Sequence, residues 1–241
     1  MAEKAYLNLR RMIAAGELTA GAALSETSLS REIGVSRTPL REAIRQLAAE
    51  GFLRQTPNRG SVVAEFSKRD IAELYEVREA LEVYAVGKAT EHGLRADDVS
   101  TLQSFVDLIL VLRDELEKSG EERLKPDEMQ KLIQADLNFH AVLVRAAANR
   151  RLLKAFADTR VLLAIFAIRR KGHDVQQLSQ IHGYHNEILI AAKRGDATNA
   201  VRLASEHIRV SKQERLDEYD EWEHDSARGD AIPIFSEVGM I

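Results

Sequence analysis

The sequence predicts a mainly α-helical protein, with an N-terminal winged helix-turn-helix followed by a C-terminal all-helical bundle. Within residues 1–66, three short helical patterns precede two strand patterns. Beyond them the periodicity is helical to about residue 224, and no strand pattern returns. With 241 residues and 45% hydrophobic content, the chain can bury a substantial core. We therefore expect domains at 1–66 and 67–224, followed by a tail at 225–241.

In the N-terminal part, the winged helix-turn-helix is predicted from a change in the hydrophobic period, from helical to strand spacing. Apolar residues recur at three- and four-residue spacing in the segments 5–15, 26–33 and 37–50, which predicts three short helices. The following runs FLRQT and SVVAEF have strand composition, and PNRG between them supplies turn residues, with Gly60 able to adopt a positive φ. Three helices followed by a hairpin are the arrangement of a winged helix.

The third helix has two faces that do not overlap. One face carries charged and polar side chains: Arg37, Thr38, Arg41 and Arg45. The other carries apolar side chains: Leu40, Ala43, Ile44 and Leu47. Ser36 can cap this helix, and Pro39 in the first turn sacrifices no hydrogen bond within it. The polar face is suited to contact a DNA groove, and the alternative is a solubilising surface.

The run LSETSLSREIGVSRTPLREAIRQLAAEGFLRQTPNRGSVV resembles the DNA-binding domain of GntR-type bacterial regulators. The resemblance implies contacts to double-stranded DNA from these residues: Ser36, Arg37, Thr38 and Arg41, with wing contacts near Arg59 and Gly60. An arginine can bind guanine bidentately, whereas hydroxyls and the wing backbone suit phosphates. Some relatives place a further basic contact at position 27, where this chain has Thr27, so that contact is not expected.

The C-terminal part has helical patterns broken at Gly93, at Ser119-Gly120 and Pro126, at Gly172 and at Gly195-Asp196. Four polar side chains lie within its apolar stripes, on three helices: Asp136, His140, His185 and His207. Imidazole and carboxylate ligands suit zinc, nickel, manganese or iron, and an i, i+4 pair supplies two ligands from one face. The alternative is a set of hydrogen-bonded core histidines.

The remaining histidines have other predicted roles. His182 is the chief rival ligand, since it lies near the same face as His185. A role in hydrogen bonding to a metal ligand, rather than to the metal itself, suits it better. His92, His173 and His224 fall at predicted breaks or in the tail, so we interpret them as surface residues.

The segments ADLNFHAVLVRAAANRRL and HNEILIAAKRGDATNAVRLASEHI resemble the FCD sensing domain of the FadR branch of the GntR family. The resemblance implies a divalent metal, with zinc as the first candidate, bound by Asp136, His140, His185 and His207. A second family feature is REALE, which places Arg78 on an inward stripe where its charge needs a partner. That partner is either Glu82, one turn on, or the carboxylate of an effector.

Together these features predict a transcriptional regulator, most often a repressor, that is released by a small organic acid. A helix-turn-helix homodimer would bind a pseudo-palindromic operator whose half-sites lie roughly 34 to 36 Å apart. The alternative from another class is a helical metal-dependent hydrolase fused to a DNA-binding module, in which the same metal activates water. The dipeptide His173-Asp174 adds little to it, because it follows a predicted break and no second histidine-rich motif accompanies it. A third hypothesis assigns the metal a purely structural role.

Composition adds limits on compartment and charge. The chain has no cysteine, and its N-terminus has no secretory signal pattern. No stretch approaches the roughly 20 apolar residues that cross a bilayer, so we expect a cytoplasmic protein without a membrane partner. The net charge is −4, yet residues 1–66 carry nine Lys and Arg against seven Asp and Glu. The DNA argument therefore rests on the placement of basic residues rather than on their number.

Overall fold

The computed structural model describes residues 1–14, 17–18, 21–57, 59–64, 67–167 and 172–228. The elements in chain order are α1 (Ala2–Ala14), α2 (Glu26–Ile33), α3 (Arg37–Ala49), β1 (Leu53–Thr56), β2 (Gly60–Val63), α4 (Lys68–His92), α5 (Ala96–Ser119), α6 (Pro126–Ala146), α7 (Arg150–Ala167), α8 (Val175–Lys193) and α9 (Ala197–Arg228). The fold class is confirmed as mainly α-helical. In the described part of the chain, no helix is both long and apolar enough to cross a membrane.

The chain forms two compact units, the first built mainly from Met1–Ser67 and the second from Lys68–Leu163 with Arg169–Glu221. In the first unit, α1 and α3 pack through these buried side chains: Ala5, Leu9, Met12, Leu40, Ala43, Ile44 and Leu47. Ser25 caps α2 by accepting a hydrogen bond from the backbone N–H of Ser28 at 3.3 Å. The helix ends at Gly34, whose φ of 70° is the left-handed conformation that glycine adopts without strain.

The wing is an antiparallel hairpin of β1 and β2, with Leu53 paired to Val63 and Thr56 to Gly60. Gly60 has a φ of 71°, as its place after the turn requires. A third extended segment, not expected from the sequence, pairs with β2. Ala23 forms a bridge to Val62, and the N–H of Leu24 donates to the carbonyl of Ser61 at 2.8 Å. This pairing fixes the hairpin to the chain just before α2.

In the second unit, α4, α5, α6, α8 and α9 surround a continuous apolar core. Its central side chains include Val86, Leu102, Phe139, Ile188 and Leu203, all buried.

The helix break between α6 and α7 was not expected. Asn149 makes it, because its Oδ1 accepts the N–H groups of Arg151 and Leu152 and so starts α7. The last helix, α9, continues to Arg228 and so enters the segment predicted as a tail. The rest of the predicted tail, 229–241, lies outside the described residues.

Helices α4 and α9 run antiparallel, and ion pairs join them along their length. Lys68 pairs with Asp220, Glu76 with Lys212 and Glu79 with Arg209. Near the end of this series, a Cβ added at Gly87 would lie 3.0 Å from the side chain of Val201, so the two helices approach closely. This pairing places the helix that follows the wing in sequence directly against the C-terminal helix.

Gly172, immediately before α8, is a position where we expect a large effect on stability. Its φ is +84°, and a Cβ there would overlap the carbonyl oxygen of Leu124. Gly172→Ala should therefore lower the free energy of unfolding by about 3 kcal/mol or more, measured by urea denaturation. Gly195→Ala is the matched control, because φ is +72° there but a Cβ meets nothing within 4 Å. The control should lose only about 1 kcal/mol, and equal losses in the two variants would contradict the steric argument.

Candidate functional site

Helix α3 exposes its polar face and buries its apolar one. The exposed side chains are Ser36, Arg37, Thr38, Arg41 and Arg45, and Arg59 and Gly60 are exposed on the wing. Ser36 stands at the N-cap position of α3, but among the described residues its side chain has no capping partner. The hydroxyl is therefore available to another acceptor or donor, as a phosphate contact requires.

Two of the α3 arginines are held by side chains of α2. The Arg41 Nε donates to Glu26 Oε2 at 2.7 Å, and Arg37 donates to the Thr27 hydroxyl at 3.1 Å. These pairs are largely exposed, so solvent screens them and they cost little to exchange for contacts to a nucleic acid. Thr27 occupies the position where some relatives place a basic DNA contact. In this chain its hydroxyl accepts a hydrogen bond from Arg37 and so orients that arginine.

In the second unit, four potential metal ligands converge from three helices: Asp136 and His140 on α6, His185 on α8 and His207 on α9. Their donor atoms all lie within 4.8 Å of one another. The Asp136 Oδ1 is 3.3 Å from the Nε2 of His185, 3.6 Å from that of His207 and 3.8 Å from that of His140. The Nε2 atoms of His185 and His207 are 3.2 Å apart.

These separations fit a bound cation. Ligand atoms at about 2.1 Å from a tetrahedral zinc lie about 3.4 Å from each other, which is within the observed range. The chemistry of the set also fits, because three imidazoles and one carboxylate are ligands of zinc and of the later divalent transition metals. The group could therefore hold a metal ion.

The electrostatics of the group favour neutral imidazoles at His185 and His207 beside an ionised Asp136 carboxylate. Burial lowers the pKa of His185 to about 3, although Asp136 acts in the opposite direction. Burial also lowers the pKa of His207. Burial alone would raise the pKa of Asp136, but hydrogen bonds from His185 and His207 and the charge of Arg78 outweigh it and hold that pKa well below its usual value. These are the charge states that bind a cation, which also requires the proton of each neutral imidazole to lie on the ring nitrogen away from the cation.

Access to the group is through the carboxylate. The side chain of Asp136 is 24% exposed, whereas those of His140, His185 and His207 are between 0 and 2% exposed. A small molecule arriving from solvent would therefore meet Asp136 first.

Arg78 and Glu82 on α4 border the same group and are almost fully buried. The Arg78 Nε donates to Glu82 Oε1 at 2.7 Å, so the partner one turn along the helix is the one the structure contains. The terminal nitrogen Nη2 of Arg78 lies 3.6 Å from Asp136 Oδ2 and, within the described residues, makes no hydrogen bond. A buried guanidinium nitrogen thus lies beside the Asp136 carboxylate.

Glu82 has a second contact that the sequence analysis missed. Its Oε2 lies 2.6 Å from His140 Nδ1, with both side chains 1% exposed. The i, i+4 spacing to Arg78 was a visible signal, but it accounts for only one of the two carboxylate oxygens.

The other histidines separate clearly from this group. His182 is partly exposed and lies outside the four-residue cluster. His92 and His224 are exposed, as expected. The prediction for His173 is wrong, since it is 1% exposed. Its carbonyl accepts from the N–H of Leu124 at 2.9 Å, so the segment before α8 packs into the α5–α6 connection rather than lying on the surface.

Both parts of the chain match known protein families. Residues 1–63 match the family described as bacterial regulatory proteins, gntR family, and residues 73–210 match the FCD domain. The Nta operon transcriptional regulator of Aminobacter aminovorans is 39% identical over 187 residues, covering 76% of this chain and 80% of that protein. The gluconate operon transcriptional repressor of Bacillus subtilis is 28% identical, covering 72% and 69%.

Among solved structures, McbR/YncC of E. coli superposes with a TM-score of 0.73 at 20% identity, covering 90% of this chain and 98% of that one. This likeness concerns the fold.

The winged helix-turn-helix and the helical domain with its buried Asp and His residues define a bacterial transcriptional regulator. The chain belongs to the GntR family and carries an FCD ligand-binding domain. Members of this family bind DNA operators, typically as dimers. The relatives are regulators rather than enzymes, which decides against the hydrolase alternative.

Proposed function

We propose that this regulator is a repressor whose operator affinity is controlled by a small organic acid bound beside a divalent metal in the FCD domain. The observation that carries the proposal is the position of Arg78, whose Nη2 lies 3.6 Å from Asp136 Oδ2 and so borders the convergent donors of Asp136, His140, His185 and His207. The repressor name of the gluconate relative supports the direction of regulation. The cytoplasm, where operator DNA lies, is the proposed compartment.

On the DNA side, the exposed arginines of α3 are the proposed base contacts: Arg37, Arg41 and Arg45. Hydroxyls at Ser36 and Thr38, with Arg59 and the Gly60 backbone on the wing, are the proposed phosphate contacts. The protein acts as a homodimer on a pseudo-palindromic operator, since a twofold dimer places two recognition helices one helical turn apart. We expect sedimentation of the free protein to give twice the 27.0 kDa chain mass, and the mass of a single chain would contradict the dimer.

Zinc is the proposed metal. It is bound with three nitrogen ligands and one oxygen ligand in many proteins, and neutral buried imidazoles match that preference. When bound, it would supply a positive charge beside Arg78. The buried imidazoles of His140 and His185 are shielded from water, whereas the Asp136 carboxylate is partly exposed. A bound cation and Arg78, both next to the partly exposed Asp136, favour an anion, and a carboxylate is the simplest one.

The experiment measures operator affinity of the zinc-loaded protein by fluorescence anisotropy, with acetate, lactate, malate and citrate as probes. We expect at least one of these carboxylates to weaken operator binding by about 5- to 150-fold, the usual range of allosteric coupling. Arg78→Lys keeps the buried charge opposite Glu82 but lacks the second nitrogen, so it should lose the response. Arg202→Lys, on the exposed face of α9, is the matched control. An equal response in wild type and Arg78→Lys would contradict the role of Arg78.

A further inference from the structure

The carboxylate of Glu82 touches two different cationic or basic groups deep in the second unit. One oxygen accepts the Nε–H of Arg78 at 2.7 Å, and the other lies 2.6 Å from the Nδ1 of His140. Glu82 is not among the four convergent donors. A carboxylate that is 1% exposed and makes no contribution to the donor set needs another reason for its place, because burying its charge is costly.

That reason is found in the two nitrogens of the His140 ring. The Nε2 faces the other donors, 3.8 Å from Asp136 Oδ1, whereas Nδ1 faces Glu82. A neutral imidazole carries one proton, and an ionised carboxylate can only accept a hydrogen bond. A proton on Nδ1 would lie beside the Glu82 carboxylate, which attracts it, and would leave the lone pair of Nε2 directed at the donor group.

We propose that Glu82 is a positioning residue that selects the His140 tautomer able to bind a metal through Nε2. The proposal rests on the metal-binding function proposed above and adds α4 to the elements that build the centre. Arg78 holds Glu82 in this role through the remaining oxygen. One carboxylate thus links the arginine proposed to bind the effector to a histidine proposed to bind the metal.

The ion pair with Arg78 keeps Glu82 in its carboxylate form, because the Arg78 Nε lies 2.7 Å from Glu82 Oε1. The second oxygen of Glu82 can therefore only accept a hydrogen bond and cannot donate a proton to Nδ1.

Glu82→Gln is the sharpest substitution, because it preserves shape while replacing one acceptor by a donor. If the amide oxygen accepts from Arg78 Nε, the amide nitrogen faces His140 Nδ1 and favours the tautomer that is protonated on Nε2. We expect zinc affinity, measured by competition with a chromophoric chelator, to fall about 10- to 100-fold. Glu79→Gln is the control, since Glu79 lies on the same helix and contacts Arg209 and Ser205 instead. An affinity within twofold of wild type in Glu82→Gln would overturn the proposal.

A second measurement needs no variant and no metal. Nitrogen-15 NMR of the metal-free wild-type protein reports which ring nitrogen of His140 carries the proton, and we expect Nδ1. A proton on Nε2 would overturn the inference even if Glu82→Gln failed to fold. Failure of the wild type to bind zinc would instead refute the metal in the proposed function, and the NMR result would still decide the role of Glu82.

Discussion

Replacing Arg37 and Arg41 together by alanine is expected to remove specific operator binding while leaving the fold intact. Both side chains are exposed on α3, where Arg37 donates to Thr27 and Arg41 to Glu26 of α2. A bidentate contact from arginine to a base pair contributes about 1 to 3 kcal/mol of discrimination, which corresponds to about 5- to 150-fold in affinity for each residue. Anisotropy titrations with an operator selected from random DNA, run at fixed salt, measure the loss.

The single variants separate the two arginines. A residue that binds a base should lower specific affinity more than non-specific affinity, whereas a phosphate contact should weaken both and reduce the dependence on salt. Arg202→Ala removes the same charge from the second unit and should leave operator affinity unchanged. Undiminished specific binding by the double variant would exclude α3 as the recognition helix.

His185→Ala is expected to have the largest effect on the metal centre. The ring is fully buried, and its Nε2 lies 3.2 Å from that of His207 and 3.3 Å from Asp136 Oδ1. Loss of one of four ligands should lower zinc affinity by about 100-fold or more, because structural zinc binding is strong and shared among its ligands. Elemental analysis after gel filtration should show zinc in the wild type and little in the variant.

The matched control for that substitution lies one turn earlier on the same helix. His182→Ala also removes an imidazole, but His182 is partly exposed and outside the cluster. Its metal content should equal that of the wild type. If His182→Ala loses the metal and His185→Ala retains it, the ligand assignment is wrong. If both keep a full load, the four-residue centre is refuted.

Sequence patterns alone were sufficient to predict some parts of this structure. The two faces of α3 follow from helical periodicity, since Leu40, Ile44 and Leu47 must be buried if the helix packs at all. The wing hairpin follows from the change of period and from Gly60, which adopts the positive φ expected of it. These are local properties, so a single sequence contains them.

Features that depend on contacts distant in sequence were not predictable in the same way. The pairing of Ala23 with Val62 is a single bridge without a strand pattern of its own. The burial of His173 depends on the α5–α6 connection, some 50 residues earlier. The break after α6 had a signal in Asn149, but an alanine-rich helical pattern concealed it.

The candidate metal centre is intermediate between these cases. Burial of His140, His185 and His207 follows from their places in apolar stripes, whereas their convergence with Asp136 depends on how α6, α8 and α9 pack. The apolar stripes suggested these four residues as a set, and resemblance to a family added the expectation of a metal. Glu82 was considered solely as the partner of Arg78, because helix spacing shows one contact and not the second.

The most direct test of the account measures the affinity of the zinc-loaded protein for a carboxylate, by calorimetry, with and without bound operator. The probe is whichever of acetate, lactate, malate and citrate weakens operator binding most. Because coupling between two sites is reciprocal, operator DNA should lower carboxylate affinity by the same factor by which the carboxylate lowers operator affinity. Identical carboxylate affinity in the free and operator-bound protein would contradict the claim that the FCD domain controls DNA binding.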